Sequence, residues 1–109
     1  MMGEVYSVFI DYGGDYEDKA FLCVSVESAR ENTVKIVNEE YMWGVDMGQE
    51  NNIPLSVSIT PLTANAEGIL KRDRSSTKVL KIKNGTISET ILDIINFYEV
   101  FSLEEGALR

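Results

Sequence analysis

Histidine is missing from this chain of 109 residues, and cysteine occurs once. Histidine is the side chain most used for proton transfer near neutral pH and the commonest transition-metal ligand. Its absence excludes Ser–His and Cys–His nucleophile pairs and histidine-based zinc sites. The single cysteine, Cys23, rules out a disulfide within the chain, and its apolar neighbours Leu22 and Val24 predict a buried structural thiol.

Catalytic motifs and long apolar runs are also missing. A lysine or tyrosine acting with a carboxylate is the catalytic option left by the composition, and we rank it third among the function classes. We therefore expect a protein that is not an enzyme and needs no cofactor. No run reaches the roughly 18 apolar residues of a membrane span, and the start, MMGEVYSVFID, lacks a basic segment followed by an apolar one. These absences predict a cytoplasmic protein with no membrane partner.

Positive charge is scarce in the first half of the chain. Residues 1–54 carry eleven Asp and Glu against three Lys and Arg, while residues 55–109 carry seven of each, so the net charge of −8 arises in the first half. A surface of one sign attracts cationic surfaces and repels nucleic acid and anionic membrane. The sequence predicts a basic protein target and no direct binding of nucleic acid.

Hydrophobic periodicity predicts a single α+β domain over residues 1–109, large enough to bury one core. Strands alternate apolar and polar residues at period two, and helices repeat their apolar residues at intervals of three and four. We expect a two-layer domain with a mixed or antiparallel sheet of four to five strands and two helices, in the approximate order ββαββα. The predicted strands lie at 4–12, within 19–26, at 55–62, at 69–70 and at 77–83.

The first helix is predicted over residues 28–42. Ser28 and Glu31 have the spacing of a capping box, in which a side chain at each position bonds the backbone of the other. The following segment, 41–54, mixes glycine, asparagine and proline with large apolar residues and is typical of an anchored surface loop. We expect this loop to hold Trp43.

The last element opens with a second capping box, Thr86 and Glu89, and continues with helical periodicity. Residues 97–101 (FYEVF) also suit a strand, so helix and strand stay open there. The polar side of this helix is narrow. We favour a helix covered on two sides within the domain over one that presents a second apolar side to another copy or to a partner. The extra apolar residues are Leu92, Phe97 and Val100.

Two acidic segments are candidate partner-binding sites. In the loop of the first hairpin, tyrosines alternate with carboxylates but the spacing of a calcium loop is absent, which leaves a solvated turn or a docking loop. In the second segment the only tryptophan lies between carboxylates, as in interface hot spots, or else packs over the sheet edge. The candidate residues are Asp11, Asp15, Tyr16, Glu17 and Asp18 in the first segment, and Glu39, Glu40, Trp43, Asp46 and Glu50 in the second.

A basic run follows in the second half. It has three interpretations: an ordinary solvated hairpin, a site for a small anionic ligand such as a nucleotide, or a surface that pairs with the acidic half of another copy. Its candidate anion-binding residues are Lys71, Arg72, Arg74 and Lys78. No group in the chain has the pattern of a metal site.

The leading hypothesis is a non-catalytic acidic inhibitor that binds a basic surface of a protein handling nucleic acid. In size and charge the chain resembles bacterial toxin-immunity proteins and phage-encoded antagonists of host defence, an analogy of class that names no family. The alternative is a homo-oligomer, assembled through the C-terminal helix, that binds or sequesters a small anionic molecule.

Overall fold

The computed structural model describes residues 5–14, 17–48, 52–83 and 85–107. These residues form five strands and two helices in the order ββαβββα, which fits the predicted approximate order ββαββα with a fifth strand, and one 3-10 turn, Arg74–Ser76. All strand pairings are antiparallel, which confirms the α+β class. The strands are β1 (Val5–Asp11), β2 (Lys19–Cys23), β3 (Ser56–Ala64), β4 (Leu70–Arg72) and β5 (Lys78–Lys81), and the helices are α1 (Val26–Asp46) and α2 (Ile87–Ala107).

Strand β1 lies in the middle of the core because its alternate residues are apolar and share one face. Tyr6, Val8 and Ile10 are buried there, and Val8 lies opposite Phe21 of β2 and Ile59 of β3. The apolar residues at these positions form one side of the sheet, against which the helices pack. The predicted first hairpin is thus confirmed.

Strand β3 has β1 on one side and two short strands, β5 and then β4, on the other. Pro61 falls between the stretches that pair with these two strands. Its carbonyl accepts a hydrogen bond from the Asp73 backbone N–H at 2.8 Å on that side. The Pro61 nitrogen, which carries no hydrogen, points to the same side and so faces the gap between β5 and β4. A proline inside an interior strand is tolerated here because no ladder bond is required of it.

The two helices cover the inner face of the sheet side by side. A hydroxyl pair at 3.1 Å joins Thr33 of α1 to Tyr98 of α2, and an ion pair at 3.6 Å joins Arg30 to Glu99. Residues 97–101 belong to α2, so the helical interpretation of that segment is correct. No helix in the described ranges has an apolar stretch long enough to cross a membrane.

Coverage of α2 is only partial. Phe97 packs against the core, but Leu92 and Val100 are each 56% exposed. The expectation of a helix covered on two sides within the domain is therefore not met along this side, because the sheet ends at β5 and nothing among the described residues lies beyond it.

The predicted N-cap of α1, Ser28, was three residues late. The N-cap is Ser25, whose hydroxyl oxygen accepts a hydrogen bond from the Ser28 backbone at 3.0 Å. Ser25 has extended backbone angles, as an N-cap requires, whereas Ser28 already lies inside the first turn. The Ser28 capping box is thus wrong, while the one at Thr86 and Glu89 is confirmed by reciprocal bonds of 2.7 and 3.2 Å.

We expect Ser25→Ala to lower the free energy of unfolding by about 1 kcal/mol, because the N–H of Ser28 loses its partner. Ser28→Ala is the matched control and should cost less than half as much. Urea denaturation followed by circular dichroism measures both. Equal losses in the two variants would contradict the assignment of the cap.

The end of α1 also differs from the prediction, which placed a loop over residues 41–54. The helix continues through the buried Gly44 to Asp46 and stops at Gly48, which has a φ of 71°. A glycine inside a helix costs about 1 kcal/mol relative to alanine, and packing against the core outweighs that cost at Gly44. Gly48 is the stop because positive φ there is free of side-chain strain. Trp43 is consequently a helix residue.

Candidate functional site: an acidic end

The two predicted acidic segments meet at one end of the sheet. Strand β1 ends at Asp11, which lies opposite Ser56 at the start of β3, and Ile10 lies opposite Lys19 at the start of β2. The last turns of α1 reach the same end, since the Asn52 side-chain amide donates to the backbone carbonyl of Glu40 at 2.9 Å. Residues separated by more than twenty positions in sequence therefore share one surface. We call it the acidic end; its described carboxylates are Asp11, Glu17, Asp18, Glu39, Glu40 and Asp46.

Backbone hydrogen bonds fix two of the hairpin carboxylates. Asp11 accepts from the N–H of Gly13 at 2.8 Å, and Asp18 accepts from the N–H of Tyr12 at 2.9 Å. Gly13 has a φ of 64°, which a residue with a side chain rarely adopts. The turn thus holds both carboxylates in place. The predicted residues Asp15 and Tyr16 lie outside the described residues.

Lys19 connects the hairpin to α1. Its ammonium group lies 3.4 Å from a carboxylate oxygen of Glu40 and 4.0 Å from one of Glu17. Glu17 is exposed and Glu40 is half-buried, so the pair with Glu40 is the better shielded from solvent. One cation therefore bridges the two acidic segments, and the charge of the remaining carboxylates is not balanced by it.

The end of α1 adds negative potential of its own. Glu39 and Asp46 are exposed near the helix C-terminus, and the last turn contains no basic residue. The carbonyl end of a helix carries a partial negative charge of about half a unit, so backbone and side chains act in the same direction. Glu50 lies outside the described residues.

Exposed apolar side chains accompany this charge. Trp43 is 49% exposed, and Met42, Met47 and Leu55 are 50%, 61% and 56% exposed. Large apolar groups rimmed by charge are the usual composition of protein-binding surfaces. Sequence reasoning identified Trp43 as a site residue and counted Met42 and Met47 in the same acidic segment, but missed Leu55 and the bridging Lys19. Lys19 meets Glu40 only through the fold, so its role had no signal in the local sequence.

A buried layer supports the acidic end from below. Tyr12 is 5% exposed, and its hydroxyl has no hydrogen-bond partner among the described residues. Burial, together with the negative charge of Glu40, raises the pKa of Tyr12. Cys23 is buried as predicted, and burial raises the pKa of its thiol, which keeps it protonated and unreactive.

The predicted anion-binding residues do not converge on one pocket. Lys71, Arg72 and Arg74 are exposed along the outer edge of the sheet, and Lys78 alone borders a groove beside α2. Asp73 lies between them, but its carboxylate accepts hydrogen bonds of 2.6 and 2.8 Å from two neighbouring serines, which lower its pKa. The basic run is thus a strip along β4 and β5 rather than a cradle.

Within the described part of the chain, no three acidic or thiol side chains come together as metal ligands would. The acidic end is instead a surface of carboxylates, two of them held by backbone hydrogen bonds, with the half-exposed Trp43 on the last turns of α1. The chain was compared with models of protein families, with curated proteins and with solved structures, and none of the three comparisons gives a match.

Proposed function

We propose that this protein is a non-catalytic inhibitor whose acidic end covers a basic surface on a partner that handles nucleic acid. The observation that carries the proposal is the meeting of two acidic segments at one end of the sheet, joined by Lys19, with Trp43 half exposed beside them. Charge of one sign speeds the encounter with an oppositely charged partner. A large aromatic anchor then slows dissociation.

The negative charge of the acidic end is available to a partner because the basic strip does not neutralise it. Lys19 and Arg30 form ion pairs with carboxylates of α1, α2 and the hairpin. Five cations of the strip form no ion pair with a described carboxylate: Lys71, Arg72, Arg74, Lys81 and Lys83. The acidic end is therefore not neutralised by these cations, and a basic partner meets the negative charge that Lys19 leaves unbalanced.

Charge reversal at the acidic end tests the proposal. The variant Glu17→Lys/Glu39→Lys/Asp46→Lys changes three exposed carboxylates that hold no backbone hydrogen bond in the described structure. A partner is first recovered on the immobilised wild-type chain, and stopped-flow mixing then measures its rate of association with each variant. For this triple variant we expect association to be slower by about tenfold or more at low salt, and the salt dependence of the rate to flatten.

The matched control is Glu27→Lys/Glu31→Lys/Glu67→Lys, which makes the same change of net charge at exposed positions away from the acidic end. It should slow association by about twofold, through net charge alone. Equal slowing in both triple variants, or none in the first, would remove the proposed site. Failure of the protein to displace nucleic acid from the captured partner would remove the inhibitory function.

A second candidate function is the binding of a small anionic molecule by a homo-oligomer. The groove bordered by Lys78 supports it, since a cation beside an apolar wall suits an amphipathic anion. Asp93 lines the same groove and would repel that anion. We therefore place this candidate second.

A further inference from the structure

A groove runs along the open edge of the sheet, between β5 and α2. Its volume is about 400 Å³, and it is open to solvent along its length. Apolar side chains form most of its lining, with a polar group at intervals along the helix. The lining residues are Leu80, Phe97, Val100 and Phe101, with Lys78, Asp93 and Asn96.

The two charged groups of the groove lie toward opposite ends. The ammonium of Lys78 lies 5.8 Å from the ring centroid of Phe101. Asp93 lies eight residues before Phe101 on α2, or about 12 Å along the helix axis. The groove thus has a cation at one end, an anion at the other and apolar side chains between them.

This arrangement is self-complementary under a twofold axis. If α2 of one copy lies antiparallel to α2 of another, with Phe97 near the axis, then Asp93 of each copy faces Phe101 and Lys78 of the other. We propose that the groove is the interface of a homodimer of this chain. The inference is independent of the proposed function, because it uses the β5 edge and not the acidic end.

Charge selects a second copy over other occupants. An acidic peptide would meet Asp93, and a basic one would meet Lys78, whereas another copy presents the opposite sign at each place. The apolar surface continues outward from the groove, since Val100 is 56% exposed and Leu103 is 73% exposed. Burying these side chains favours association.

Sedimentation equilibrium with a matched pair of variants tests the dimer. We expect the wild-type chain to approach twice its mass of 12.2 kDa as its concentration rises. Val100→Glu lies in the groove and should weaken dimerisation by about tenfold or more, because the new carboxylate of each copy would lie next to Asp93 of the other. Val79→Glu makes the same substitution at nearly the same exposure, 55% against 56%, on the other face of the sheet, and should leave the dimer unchanged.

A charge swap tests the twofold arrangement itself. Asp93→Lys should weaken the dimer because it faces Lys78, and Lys78→Glu/Asp93→Lys should restore it. Higher salt should strengthen the dimer, since screening of the net charge of −8 on each copy outweighs the loss of two local pairs. This dependence is opposite to that expected for the basic partner at the acidic end.

Circular dichroism establishes that each variant is folded before its mass is compared. A wild-type chain that stays monomeric at high concentration and high salt would overturn the proposal. So would a dimer that Val79→Glu disrupts and Val100→Glu does not, or one that the double charge variant fails to restore. A dimer that weakens with salt would point instead to pairing of the basic strip with the acidic end of another copy, and would also overturn it.

Discussion

Ile94→Ala should lower the free energy of unfolding by about 2–5 kcal/mol, which is the usual cost of removing a buried isoleucine side chain. Ile94 lies on the side of α2 that faces the core and is fully buried, in one hydrophobic cluster with Tyr98, Val8 and Ile59. The substitution removes apolar surface from the interior and leaves a cavity that the neighbours fill only in part. Since a domain of this size is stable by about 5–15 kcal/mol, this single change removes a large share.

The matched control lies two residues away on the same helix. Leu92 is 56% exposed, so Leu92→Ala should change the free energy of unfolding by about 0.5 kcal/mol or less in the monomer. Urea denaturation at low protein concentration measures both variants without a contribution from self-association. Comparable losses at the two positions would mean that α2 does not bury the face assigned to it.

High pH should destabilise the protein through Tyr98. Burial raises the pKa of Tyr98 from 10.0 to about 12. Above pH 10 the unfolded chain releases a proton that the native chain retains, so unfolding becomes more favourable. The stabilising contribution is complete below pH 10 and is lost as the pH rises to about 12, at up to about 1.4 kcal/mol per pH unit. Tyr12, whose pKa is also raised by burial, adds in the same direction.

Tyr98→Phe separates this titration from the other groups that ionise at high pH. Thr33 donates its hydroxyl hydrogen to the carbonyl of Ala29 at 2.6 Å, so it accepts from Tyr98. The variant should therefore lose about 1 kcal/mol at neutral pH, the net value of one hydrogen bond. Its stability should then fall less steeply than that of the wild type above pH 10. Parallel curves of free energy of unfolding against pH would contradict this role.

Local patterns were sufficient to predict much of the fold. Alternation of apolar and polar residues gave β1 and β3 within two residues at each end, because one face of each strand is buried. The Thr86 and Glu89 capping box located the start of α2, since both of its hydrogen bonds join residues three positions apart.

The boundaries of α1 depended on contacts between distant parts of the chain. Ser28 had a suitable glutamate three residues later, but Ser25 is the residue with extended backbone angles at the start of the helix. Glycine is a common signal for the end of a helix, but Gly44 is buried and stays helical, and Gly48 ends α1 instead. Propensity is a weak guide when tertiary packing decides.

The acidic residues were predicted as candidates, but their meeting was not predictable from the chain itself. It follows from the connection that carries the chain from β2 through α1 to β3, passing over β1. That path places the end of α1 next to the start of β2, where Lys19 reaches Glu40. Sequence spacing alone says nothing about which strand ends share a side of a sheet.

The gap between β5 and β4 opposite Pro61 bears on whether the protein forms fibrils at high concentration. The outer edge of the sheet consists of three residues in β4 and four in β5, separated by a 3-10 turn. Amyloid-like stacking requires a longer uninterrupted row of backbone groups on which strands of other molecules can be added. The break, with lysine at both ends of β5, denies fibrils such a template at this edge of the sheet.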